Sequence, residues 1–285
     1  VERYFGVRVR WYMSVHSRRA RNRELLILTE DLFGRSVDAT LFLLSYITAL
    51  SVIPSTKTRA AFQAHLASET FLKSVNYEVI KNALTTAWKR RFIVKRRHAL
   101  PTITQQGRRR LQEIMPVYDP VRTWDGRLHA VTYDIPEKKH KARDLLRTYL
   151  RRLGCAKLQE SVWLTPYNPI DVLRDFILEK DIEGTVIVSD LGKDASVGDE
   201  TMEGLIVRLY NLEELHDRYK TWLDIFGDPR TLIQYEGLVR YLSILNDDPQ
   251  LPFALLPKWW NGDRAYKTIK PLLSKLSIDS RPRSY

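Results

Sequence analysis

The dipeptide Ile135-Pro136 does more than any other pair of residues to limit what this chain can fold into. Proline cannot donate to a strand ladder, so the β-prone run Leu128 to Asp134 has to end there. Glu137 then opens a helix in which Ala142, Leu145, Leu146, Tyr149, Leu150 and Leu153 recur at helical spacing. They form one apolar stripe suited to lying on a sheet. The other side carries Lys139, Lys141, Arg143, Arg147, Arg151 and Arg152, which reads as a solvated face before it reads as a phosphate contact. Gly154 ends the helix, and a hairpin follows as far as Pro166.

The pattern continues in the same style. Asn168-Pro169 punctuates the chain, Ile170 to Glu179 forms a second helix, and Thr185 to Ser189 is an apolar strand. Strand, helix, hairpin, helix, strand is the order of a ferredoxin-like α/β sandwich, with two helices on one face of an antiparallel sheet. The polar loop LGKDASVGDE is exposed, and Leu205 to Leu209 is expected to add a strand. A long helix from Leu212 places Leu215, Tyr219, Trp222, Leu223 and Phe226 on one face and stops at Gly227-Asp228-Pro229. Another helix runs from about Leu232 to Leu245. Prolines 249, 252 and 257 then frame Leu251, Leu255 and Leu256 in a packed irregular segment. Trp259 and Trp260 suit packing better than a ligand pocket.

Charge is distributed unevenly. Residues 1 to 123 hold 22 lysines and arginines against 9 acidic residues, and the remainder holds 24 against 25. The excess positive charge therefore belongs to the N-terminal part, which marks a module for a polyanion, most simply nucleic acid. Val37 to Val52 is apolar nearly all round, as a helix central to a small domain would be. Thr58 to Ala67 forms a short helix. Along NYEVIKNALTTAWKRRF, Tyr77, Ile80, Leu84, Ala87 and Trp88 make an apolar face, and Glu78, Lys81, Asn82, Thr85 and Lys89 a polar one. Next come the β-run FIVKRR, a turn at HALP, a short strand TIT and a closing helix from QGRRRLQEI. Helices followed by a β-hairpin describe a winged helix-turn-helix. The residues expected to meet double-stranded DNA are Lys57, Arg59, Asn76, Lys81, Asn82, Thr85 and Lys89, with Lys95, Arg96, Arg97 and His98 on the wing. Asparagine and lysine on such a helix are matched to adenine and guanine edges in the major groove.

Other classes find little support. The 44% apolar content points to a globular chain, and no apolar run reaches membrane-spanning length. The N-terminus lacks a signal-peptide core, and the single cysteine, Cys155, rules out an internal disulfide and a cysteine-based zinc cluster. A cytoplasmic protein without membrane contact is expected. There is no phosphate-binding glycine loop, no paired-histidine spacing and no Ser-His-Asp grammar, so no catalytic residue, metal site or cofactor is assigned.

The order of these parts resembles the PaaX family of bacterial transcriptional regulators. The most specific pieces are W-D-G-R at Trp124 to Arg127, Y-D-I-P-E at Tyr133 to Glu137, S-V-W-L at Ser161 to Leu164, and D-P-x-L-P…L-L-P…W-x-G from Asp248 to Gly262. The resemblance implies an α+β protein: a basic arm and helix over 1–36, a winged-helix DNA-binding domain over 37–120, a ferredoxin-like domain over 121–210 and a helical C-terminal domain over 211–285. It implies a homodimer that binds an operator, most simply as a repressor, and release by a small-molecule effector such as an acyl-CoA, whose binding residues it does not locate. The arginine-rich stretch before residue 35 departs from the family's usual short start. The central part is also similar to the small CRISPR-associated nuclease family of the spacer-acquisition complex, in which Asp134 would stand at the metal-ligand position. Against that, a lone aspartate before Ile-Pro suits a turn or helix cap. A DNA-bridging scaffold without catalysis is a further alternative.

Overall fold

A computed structural model describes residues 28–29, 31–34, 36–51, 77–96, 99–191, 200–228 and 235–276. In chain order its elements are α1 (Ser36–Ser51), α2 (Tyr77–Lys89), β1 (Ile93–Arg96), β2 (Ala99–Ile103), α3 (Gln105–Ile114), β3 (His129–Asp134), α4 (His140–Arg152), β4 (Ala156–Gln159), β5 (Val162–Thr165), α5 (Ile170–Glu179), β6 (Thr185–Asp190), α6 (Met202–Leu209), α7 (Leu212–Phe226), α8 (Tyr235–Asp247) and α9 (Gly262–Lys275). Short 3-10 turns lie at Glu137–Lys139 and Phe253–Leu255. The fold is α+β. The predicted helix at Thr58 to Ala67 lies outside the described residues.

The chain divides into two compact units. One comprises residues 1–117, 218–247 and 262–279, and the other residues 118–217, 248–261 and 280–285. In the first, α1 packs against α2 and α3, and Val37, Leu41, Phe42, Leu43, Leu44 and Tyr46 are all buried. A helix buried around most of its circumference belongs at the centre of a unit. Phe42 and Tyr46 meet Tyr235 of α8, with ring centroids 5.8 and 5.3 Å apart. Burial raises the Tyr46 and Tyr235 hydroxyls well above the usual phenol range. Asp38, in the first turn of α1, is only 3% exposed. Arg110 of α3 reaches it with two hydrogen bonds of 3.1 and 2.7 Å, and that contact in turn raises the guanidinium.

The second unit holds a four-stranded antiparallel sheet in the order β4-β5-β3-β6, with α4 and α5 as the intervening helices. This is the ferredoxin-like topology. Register places Val131 beside Trp163 and Val188, and Tyr133 beside Val186. These side chains pack with Leu146, Leu150 and Leu173 in one core. Burial of each leucine is worth roughly 1.5–3 kcal/mol. Cys155 lies in the same core, and desolvation pushes its thiol up to about 12 against the opposing hydrogen bond with Thr165.

Several expectations need correction. Leu205 to Leu209 belongs to helix α6 and not to a strand. A short apolar run does not distinguish the two, and the helix is decided upstream, where the Thr201 hydroxyl caps the Gly204 N–H at 3.1 Å. Leu145 and Trp88 were placed on apolar stripes but are 41% and 48% exposed. Ala83, outside the expected apolar face, is buried on α2. Ala99 to Pro101 lie in β2 and not in a turn, and the register slips opposite Lys95 where Pro101 has no N–H to offer. Helix α9, with Ala265, Tyr266, Ile269, Leu272, Leu273 and Leu276 buried, had no separate counterpart in the reading of the sequence.

Candidate nucleic-acid interface

Helix α2 is anchored by two small residues, Ala83 and Ala87, both fully buried. Its opposite side carries Lys81, Asn82 and Lys89, all exposed, and Thr85, half-buried. At 100° per residue these four fall within about 100° of one another. The structure therefore brings four of the expected contact residues onto one stripe. The Thr85 hydroxyl donates back to the Lys81 carbonyl at 2.8 Å, and Thr86 does the same to Asn82. The Thr85 proton is thus already used, which leaves its methyl group and a lone pair for further contacts.

The end of α2 fixes where the hairpin begins. Arg91 takes a left-handed conformation with φ of 60° and donates its N–H to the Trp88 carbonyl. The Phe92 N–H reaches back to Ala87, which completes a Schellman cap with arginine in the place glycine usually holds. Ile93, the next residue, is buried and starts β1. At the other end of the hairpin Thr104 bonds to the Phe92 carbonyl through its N–H at 2.9 Å, and its hydroxyl donates to the Arg91 carbonyl at 2.6 Å. The same hydroxyl oxygen caps α3 by accepting from the Gly107 N–H at 3.1 Å. A Cβ at Gly107 would sit 2.3 Å from the Phe92 carbonyl oxygen, so α3 seats on the hairpin only because that position is glycine.

Lys95 and Arg96 belong to β1, while Arg97, His98, Lys57, Arg59 and Asn76 lie outside the described residues. Four cations not chosen from the sequence also point to solvent: Arg90, Arg91, Arg108 and Arg109. Their signal was present in the runs WKRRF and GRRRL. Arg108 also donates to the Ile103 carbonyl at 3.1 Å. Arg110, in the same run, is directed inward to Asp38.

The second unit explains the motifs that carried the resemblance. In W-D-G-R, the Asp125 carboxylate accepts the Arg127 N–H at 2.9 Å, the Trp124 indole donates to the Arg127 carbonyl at 2.8 Å, and Gly126 has φ of 81°. Arg127 pairs with Asp190, and His129 lies 3.2 Å from Asp125. The motif is thus a turn that braces the start of β3 against the end of β6. In D-P-x-L-P, the Gln250 side chain accepts from the buried Asp119 N–H at 2.7 Å, and Arg122 donates to the Leu251 carbonyl at 3.1 Å. The Arg122 guanidinium also lies between the rings of Tyr118 and Phe253, 4.7 and 4.6 Å from their centroids.

Asp134 stands at the end of β3, exposed, and its carboxylate has no hydrogen bond or ion pair among the described residues. The turn-or-cap role suggested for it is therefore not what the structure shows. The 3-10 turn that follows starts from Pro136 without a side-chain cap. Among the described residues no group of three His, Cys, Asp or Glu side chains could hold a metal. Nor is any described helix long and apolar enough to cross a membrane.

A two-unit α+β chain with a ferredoxin-like sheet and a basic helix-hairpin-helix segment can now be set beside known proteins. Residues 121–198 match the model of the PaaX protein central Cas2-like domain, and residues 210–282 match that of the PaaX-like protein C-terminal domain. Together the matches span just over half of the chain, and the chain belongs to the PaaX family. The uncharacterized protein Rv0674 from Mycobacterium tuberculosis is similar in fold, with a TM-score of 0.50 and 19% identity, covering 82% of this chain and 93% of that one. No curated protein matches.

Proposed function

We propose that this chain is a DNA-binding transcriptional regulator of the PaaX type, without enzymatic activity. In this reading α1, α2, the β1–β2 hairpin and α3 form a winged helix-turn-helix, with α2 as the recognition helix and Lys95 to His98 on the wing. In this reading the winged helix shares its compact unit with residues 218–247 and 262–279. The observation that carries the proposal is the stripe of exposed Lys81, Asn82 and Lys89 with half-buried Thr85, joined through a tight cap to a basic hairpin. A homodimer would pair two half-sites, since one such helix reads only a few base pairs. Repression, with release by a small-molecule effector, follows from family resemblance.

Selection of bound duplexes from a random pool tests this directly. Asn82→Ala or Lys81→Ala is expected to change base preference, with about 1 to 3 kcal/mol lost at the contacted pair if the contact is bidentate. Arg96→Ala with Arg97→Ala is expected to weaken binding to all sequences and to flatten the salt dependence. A chain whose affinity is insensitive to all four changes would refute the assignment. Asp134 supports the rival nuclease reading, because an exposed carboxylate without a partner among the described residues is free to meet a metal. Incubation with DNA or RNA and magnesium or manganese decides between them. The regulator leaves the nucleic acid intact, whereas degradation lost in Asp134→Asn would establish a nuclease.

A further inference from the structure

Helix α4 presents a second basic face, in the other unit. Its cations fall into two groups. Arg147 is committed inward, donating to the Tyr133 hydroxyl at 2.9 Å and to Glu160 at 2.7 Å, and Arg143 lies 3.8 Å from Glu137. Lys138, Lys141, Arg151 and Arg152 are exposed, and none of them forms an ion pair with a described residue. Lys141, Arg151 and Arg152 fall within about 100° around the helix, and Lys138 stands in the turn just before it. From Lys141 to Arg152 the face extends about 16 Å. Asp144 shares this side, 3.6 Å from Arg147.

Ordinary solvation does not account for this arrangement, because it asks for charge and not for a single sign. Helix α5, which packs in the same core, shows the reverse, with Asp171, Asp175 and Glu179 against Arg174 alone. Charge is therefore sorted by helix in a part of the chain, residues 124 to 285, that holds 24 basic and 25 acidic residues. The helix dipole favours Arg151 and Arg152 in the last turn but disfavours Lys138 and Lys141 at the N-terminal end. Those two lysines stand against the local field, and an external anion would relieve this. Duplex DNA offers about one phosphate charge per 1.7 Å of axis, ample for a face of this length.

We propose that the outer face of α4 is a second, sequence-independent contact surface for the sugar–phosphate backbone of duplex DNA. The inference rests on the reading that the chain binds duplex DNA through α2.

The test uses the full chain carrying K138Q, K141Q, R151Q and R152Q, titrated with a mixed-sequence duplex several helical turns long over a range of salt. Affinity is expected to fall about tenfold or more at moderate salt. The slope of log affinity against log salt should become shallower by about 2 to 4, with base preference in the selected pool unchanged. A control removes as many cations from the same unit, R127Q, R174Q, K180Q and R208Q, each now held in an ion pair. An equal loss in the control would reduce the effect to net charge and overturn the proposal. So would an unchanged slope in the α4 variant, or a loss of dimer in sedimentation with monomer affinity intact, which would make the face a protein contact. If Lys81 and Asn82 variants also leave binding untouched, it is the recognition-helix reading that fails, and the two failures are thereby told apart.

Discussion

Replacing Arg110 by methionine removes the partner of a carboxylate that water cannot reach. Asp38 is 3% exposed, and the two hydrogen bonds from Arg110 link α1 to α3 across 72 positions of sequence. Losing one member of a buried pair typically costs about 3–5 kcal/mol. Arg110→Met is therefore expected to lose about 3–5 kcal/mol at pH 7. Urea unfolding of wild type and variant measures this, and the double variant Asp38→Asn with Arg110→Met should recover most of the loss. A loss below about 1 kcal/mol, the size expected of an exposed pair, would refute the argument.

Gly107→Ala should gain a few tenths to about 1 kcal/mol of helix propensity and lose more to the Phe92 carbonyl, for a net destabilisation of about 1–3 kcal/mol in chemical denaturation. An unchanged midpoint would show that the hairpin yields easily. Cys155 should resist alkylation at pH 8 in the folded protein and react once the chain is unfolded, as mass spectrometry would report. Because its thiol is raised to about 12, the stability it supports is complete below about pH 8.5 and declines from there toward pH 12.

The sandwich was legible because both kinds of signal agreed there. Ile135-Pro136 closes a strand, Gly154 closes a helix, and the stripe between them packs as spaced, except at Leu145. Helix α6 was misread because a run of five residues, four of them apolar, carries no period, and the deciding feature was a threonine cap four positions earlier. Arg110 illustrates a deeper limit. It stands in a run of three arginines, and nothing local separates the one that pairs with Asp38 from the two that face solvent. Stripe residues Lys81, Asn82, Thr85 and Lys89 could be chosen by helical geometry alone, but the back-bond that occupies the Thr85 hydroxyl could not. Arg91 in a left-handed cap was equally hidden, since glycine is the residue that announces such a turn.

The first unit is assembled from segments far apart in sequence, and this bears on how the protein is made. A ribosome releases Phe42 and Tyr46 long before Tyr235, the ring they pack against. Until α8 emerges, α1 holds aromatic surface with no partner from that side. Chains synthesised from the N-terminus fold as their contacts become available, so the basic segment should reach its full stability only after α8 has emerged. A nascent or prematurely terminated chain would carry the residues proposed to read DNA without the packing that holds them in place.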